Sequence, residues 1–266
     1  MAVLTQDGVA IGFSDSGEGE PVFVFIHEWL AERSVWAQTV DDLERSYRCV
    51  AVDLRGCGDS SRQGPGDLST LADDVADVVL HLELPPVIVV GHGLGGLVAM
   101  MLGERHPQLV AGTVLADPWL TVISDGSLAA LAASVREEGS VIPVRRFVEN
   151  LFSPATPREH LDRTRQTLEA LPPQQAAETL ASAAALEPDL DRLLRDTDRK
   201  PFMALWPGSA PMGNPDELRN TTVFLRQEPI AGGSHYFQLE DPVLTTVLLR
   251  AFVDDVERDP RLQRHD

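Results

Sequence analysis

A chain of 266 residues, 43% of them apolar and 24% charged, is long enough for one large domain around a sizeable core. Its formal net charge of −19 excludes the basic footprint that nucleic acid or an anionic membrane surface would need. The opening MAVLTQDGVAIGFSDSG has neither the basic nor the apolar segment of a secretory leader, and no apolar run nears the ~18 residues of a membrane span; a cytoplasmic protein is expected, with Cys49 and Cys57 as reduced thiols.

In chain order, Val9–Phe13, Val22–Ile26 and Cys49–Val52 are short β-rich runs. Thr70–Leu82 carries Leu71, Val75, Val78, Val79 and Leu82 at helical spacing. Val87–Val90 is a continuous apolar run, the pattern of a strand buried on both faces. From Leu94 the apolar residues recur with helix periodicity until His106-Pro107. Val110–Leu115 is the next buried strand, Met203–Trp206 and Val223–Leu225 are further strand candidates, and Thr245–Val256 closes the pattern as a helix. Alternating strand and helix implies a mostly parallel central sheet flanked by helices. Residues 122–197 break the rhythm. They are rich in Ala, Leu, Glu, Arg and Gln, include the helical stretch Gln174–Leu186, and read as an inserted helical lid on a core of 1–121 and 198–266. The tail after Arg258 is polar and expected to fray.

GHGLGG at 91–96 lies between an apolar strand and a helix, where a G-x-S-x-G nucleophile elbow would hold its serine on a strained turn. Here the central position is Gly93. Four other stretches accompany it: FIHEWL at 25–30, DLRGCGDS at 53–60, LADPWL at 115–120 and GGSHYFQLEDP at 232–242. Through these five motifs, in this order, the chain resembles the α/β-hydrolase fold family over nearly its whole length.

That resemblance implies an imidazole at His235 and an oxyanion hole made by the backbone N–H groups of Trp29 and Leu94. The usual late carboxylate is missing, because ALWPGSAPMG at 204–213 contains no Asp or Glu. Asp117, after the strand that follows the elbow helix, is the candidate orienting acid; the plainer alternative is an Asx-type turn before Pro118. Glu28 departs from the family pattern, which often has glycine there. It is either a second acid or base facing the pocket or a solvent-turned loop side chain. His27 and His92 fit packed structural roles beside the pocket, and Trp36 and Trp119 are candidates to line it. Ser234 and Cys57 are poorly placed to replace the missing nucleophile. Gly91, Gly93 and Gly96 also spell G-x-G-x-x-G, with Asp117 about 20 residues on, but a dinucleotide fingerprint belongs on the first βα turn and three strands precede this one. No metal-ligand spacing is visible and no cofactor is expected.

Three readings stay open. The first is a His235/Asp117 general-base dyad acting on a small apolar or aromatic substrate without a covalent serine intermediate. Here the chain resembles the cofactor-independent 3-hydroxy-4-oxoquinoline 2,4-dioxygenases, through Trp29, Val35-Trp36, Asp117 and Trp119, and the implied chemistry is oxygenolytic ring cleavage. The second is a serine hydrolase of an ester, lactone or amide whose serine has been exchanged for Gly93; returning the serine should then restore esterase activity. The third is a ligand-binding member of the fold without chemistry. A working base at His235 should make turnover rise with pH through the ordinary histidine range.

Overall fold

The computed structural model describes residues 1–259, and the apolar runs form the middle of its sheet. The strands are β1 (Ala2–Leu4), β2 (Ala10–Ser16), β3 (Phe23–Ile26), β4 (Cys49–Val52), β5 (Val87–His92), β6 (Val110–Ala116), β7 (Phe202–Pro207) and β8 (Arg226–Ile230). They lie in the order β1-β2-β4-β3-β5-β6-β7-β8. β1 and β2 are antiparallel to their neighbours, and every pairing from β4 to β8 is parallel. Every residue of β3, β4, β5, β6 and β7 is buried, as expected for strands covered on both faces.

Helices α1 (Ala37–Leu43), α2 (Leu68–His81) and α3 (Leu94–Arg105) make the early crossovers. α2 starts two residues before the expected Thr70, because the Asp67 side chain accepts from the Thr70 N–H and caps it. Between β6 and β7 come only helices: α4 (Thr121–Ser124), α5 (Ser127–Glu138), α6 (Ile142–Asn150), α7 (Arg158–Ala170), α8 (Pro173–Ala184) and α9 (Leu190–Thr197), with one 3-10 turn. α10 (Pro215–Thr221), α11 (Phe237–Glu240) and α12 (Pro242–Glu257) follow. α12 has Pro at its first position and Asp241 capping Leu244 N–H. No helix of the described residues is long and apolar enough to cross a membrane. The tail expected to fray lies, from Pro260 onward, outside the described residues.

The strand expected at Val223–Leu225 is a misreading. Val223 and Phe224 are exposed, and their backbone N–H groups donate to Asp198. The strand forms just after them, at Arg226–Ile230, as the polar edge of the sheet. An edge strand pairs on one side only, so it needs no continuous apolar run.

The order of the strands reverses between β3 and β5, which places a crevice at their carboxyl ends. The loops after these two strands carry Glu28 and Gly93. The DLRGCGDS loop supports the same end of the sheet. Arg55, almost fully buried, pairs with Asp74 at 2.6 Å and Asp7 at 2.8 Å. Burial raises the Asp74 carboxyl to about 6 despite the guanidinium beside it. Removing the cation alone leaves Asp74 buried without its partner. Arg55→Ala should therefore destabilise the chain by about 3–5 kcal/mol, read as a fall in urea midpoint at unchanged slope.

Candidate active site

β5 runs straight into α3 through Gly93, whose φ of 53° lies in the left-handed region. A Cβ on Gly95 would lie 2.5 Å from the His27 carbonyl oxygen, so its absence lets α3 press against the end of β3. This close approach brings the β3 loop over the elbow.

The space above Gly93 is filled by Glu28. A Cβ built on Gly93 would overlap the Glu28 carboxylate. Glu28 is fully buried, so the solvent-turned alternative is excluded. Its Oε1 accepts from the backbone N–H of Trp29 at 2.5 Å and of Leu94 at 3.2 Å, the two groups expected to form an oxyanion hole. Leu94 opens α3, so the helix N-terminus also favours an anion here. Oε2 accepts from Trp119 Nε1 at 2.8 Å and lies 2.7 Å from His235 Nε2.

His235 sits between two carboxylates. Its Nδ1 is 2.7 Å from Asp117 Oδ2, with both residues buried. Asp117 is held in turn by the Met212 N–H, which donates to Oδ1 at 2.7 Å. The segment 204–213 thus lacks an acid of its own and positions the acid from β6. Burial alone would pull the imidazole's pKa down, but hydrogen bonds and charge from Asp117 and Glu28 outweigh it and raise it to about 9. At neutral pH His235 is a cation donating from both nitrogens.

The other two histidines are fixed and neutral. His27 Nε2 accepts from the Leu54 N–H at 2.9 Å, which leaves Nδ1 to donate to the Glu28 carbonyl at 2.7 Å. Gln238 Nε2 donates to His92 Nδ1 at 3.0 Å, so His92 Nε2 donates to the His235 carbonyl at 2.9 Å. Burial lowers the pKa of both. His27 therefore sets the Glu28 loop, and His92 sets the His235 loop. Trp36 differs from the expectation of a pocket wall: it is packed in the core against Phe25 and His92. Trp119 is in the site as a hydrogen-bond donor, with Trp29 edge-on at 6.0 Å.

Ser234 Oγ donates to Glu240 at 2.5 Å, away from the elbow. The Cys57 thiol is buried and pushed up to about 12. Glu28, His92 and His235 gather ligand atoms within 4.8 Å of one another, a juxtaposition that sequence spacing does not reveal. They fit a metal poorly, since each ring nitrogen of both histidines already has a hydrogen-bond partner.

The helical segment between β6 and β7 packs against the site. Phe147 of α6 meets Trp119 edge-on at 5.3 Å, and Phe152 stacks on Tyr236 at 4.3 Å. Glu240 ties this segment to the histidine loop, accepting from Ser153 and Thr156 hydroxyls and from the Ser234 N–H. Glu28 and Asp117 are at 0% exposure, beside the aromatic contacts that the 147–156 segment makes with Trp119 and Tyr236.

A family profile described as "alpha/beta hydrolase fold" matches residues 21–242. A 2-(acetamidomethylene)succinate hydrolase of Mesorhizobium japonicum is 26% identical over 259 residues, 92% of each chain. A pimeloyl-[acyl-carrier protein] methyl ester esterase of Edwardsiella ictaluri is 30% identical over 203 residues, 73% of this chain and 74% of that one. Matches to the first curated relatives are shorter, spanning 34% to 50% of those proteins' length. Among solved structures, a thermophilic esterase from Thermogutta terrifontis superposes with a TM-score of 0.78 at 24% identity, covering 96% of this chain and 98% of that one. From the crevice between β3 and β5 to the histidine loop, and across most of its length, this chain belongs to the alpha/beta hydrolase fold family.

Proposed function

We propose that this chain is a serine-independent hydrolase of its family, in which Glu28 is the chemically active group, His235 moves protons and Asp117 orients His235. The observation that carries this reading is the Glu28 carboxylate itself: buried over Gly93, it holds both oxyanion-hole N–H groups and the imidazole. Hydrolases and esterases among the relatives support the reaction class, which is transferred to this chain as a proposal.

Two of the alternatives fare worse on physical grounds. An oxygenolytic general-base reaction needs a neutral imidazole facing the substrate, but His235 Nε2 already faces a carboxylate and holds its proton to about 9. A hydrolase with its serine exchanged for glycine would need a second change, because Glu28 occupies the place of a side chain at 93. Glu28→Gln keeps the size and removes the charge. Assayed against esters, lactones and alkyl electrophiles, the wild-type chain should turn over one class, and Glu28→Gln should lose roughly 10²- to 10⁴-fold of that rate. Full activity in Glu28→Gln, with an unchanged melting curve, would remove Glu28 from the chemistry.

A further inference from the structure

We infer that Glu28 Oε2 is a nucleophile toward saturated carbon, so that the substrate class is a small alkyl compound whose leaving group departs as a weakly basic anion, a halide or a sulfonate. The inference rests on the reading of Glu28 as the active group and adds what it attacks.

The geometry selects alkyl over acyl substrates. Attack on an acyl carbon creates an oxyanion on the substrate, and that oxygen needs the hole. Here the hole is already filled by the enzyme's own Oε1, 2.5 Å from the Trp29 nitrogen and 3.2 Å from the Leu94 nitrogen. Displacement at saturated carbon creates no such oxyanion. It needs a fixed carboxylate oxygen and an apolar surrounding. Oε2 is fixed by Trp119 and His235, and Trp29, Trp119 and Phe147 form the aromatic surroundings.

The leaving group follows from the same distances. A group displaced in line from Oε2 departs on the far side of the carbon. His235 Nε2 lies 2.7 Å from Oε2, on the near side, and cannot protonate it. The group must therefore leave without a proton, which an alkoxide does poorly and a halide does well.

The steps balance. The Oε2–C bond forms as the carbon–halogen bond breaks, and the bonding pair leaves with the halide. Glu28 is now a neutral ester, so His235 loses one of its two anionic partners and releases its Nε2 proton to solvent. Neutral Nε2 then takes a proton from water as the water oxygen adds to Cδ. The resulting oxyanion on Oε1 is held by the Trp29 and Leu94 N–H groups, the role for which these donors are placed. Collapse breaks the Cδ–Oε2 bond, His235 gives its proton to the departing alcohol oxygen, and the imidazole regains a proton from the new Glu28 carboxylic acid, which restores the carboxylate. The sum is alkyl halide plus water to alcohol, halide and a proton.

The test is a single turnover of the wild-type chain, in excess over 1-bromobutane, in heavy-oxygen water. The expected result is bromide release, first-turnover butanol carrying ordinary oxygen, and a Glu28 peptide that has gained one heavy oxygen. Glu28→Gln, folded by circular dichroism, should release no bromide. Heavy oxygen in the first-turnover butanol with an unlabelled Glu28 would overturn the nucleophile, while leaving Glu28 as a base on water. Absence of bromide release from a chain that hydrolyses another Glu28-dependent substrate would overturn the alkyl class and leave the proposed function standing. Absence of both would overturn the two together.

Discussion

Gly93→Ser alone should yield a less stable protein with no esterase activity, whereas Gly93→Ser combined with Glu28→Gly should yield an esterase. The single variant faces two costs. Position 93 has φ of 53°, a conformation that costs a side-chain-bearing residue on the order of 1–3 kcal/mol. The new Cβ also meets the Glu28 carboxylate, which must leave its four donors to make room. A total loss of a few kcal/mol is expected, within the range of severe single substitutions. The oxyanion hole stays disturbed, so p-nitrophenyl acetate should be hydrolysed no faster than by the parent. In the double variant the carboxylate is gone. The Trp29 and Leu94 N–H groups are free for a substrate oxyanion, and His235 Nε2 is free to take the serine proton while Asp117 still holds Nδ1. Esterase activity should exceed that of either single variant by roughly 10²-fold or more, the worth of a restored hole. Stopped-flow burst kinetics and melting curves on the three variants decide it. A stable, active Gly93→Ser would show that Glu28 leaves the hole without cost, and the serine-hydrolase reading would gain what the carboxylate reading loses.

That pair of positions also marks how far the sequence could be read. The apolar runs at 22–26, 49–52, 87–90 and 110–115 announce buried parallel strands because such strands need no polar face. Asp117 is legible through the family resemblance, which implies an acid either in the 204–213 segment, where there is none, or after β6, where Asp117 stands. The signal for Glu28 is present but divided: a carboxylate at a position that is often glycine, and a glycine at a position that is usually serine. Each departure alone reads as a loss. Only their closeness, created by α3 pressing against β3 where Gly95 has no side chain, turns them into one exchange. The Trp36 and Val223–Leu225 misreadings share a cause. Hydrophobicity records preference for burial, and it does not say whether an aromatic side chain faces a cleft or a core, or whether three apolar residues pair as a strand or stand exposed beside one. The Arg55–Asp74 pair escaped for another reason: its partners are 19 residues apart and meet only through the packing of α2.

The stability of the chain should fall as pH rises from about 7 to about 10, and His235→Gln should abolish much of that slope. Burial pulls the imidazole down, yet Asp117 and Glu28 together raise it from 6.5 to about 9. A group whose folded pKa lies above its unfolded value stabilises the fold fully below the unfolded pKa, and loses that contribution as pH rises through the folded one. The window is therefore 6.5 to about 9. At about 1.4 kcal/mol per unit of pKa, the contribution at stake is on the order of 3 kcal/mol. The buried thiols Cys49 and Cys57, both pushed up to about 12, add a loss of the same sign above their ordinary range, and they are present in parent and variant alike. Comparing His235→Gln with the parent subtracts them. The variant should be weaker by about 3–5 kcal/mol at neutral pH, because two buried carboxylates lose the cation between them. In urea unfolding at about pH 6 and about pH 10, the parent should lose roughly 3 kcal/mol more than the variant across the interval. Equal slopes would mean that His235 is neutral in the folded chain at pH 7. Turnover would then follow the ordinary histidine range, with the imidazole acting as base from the start.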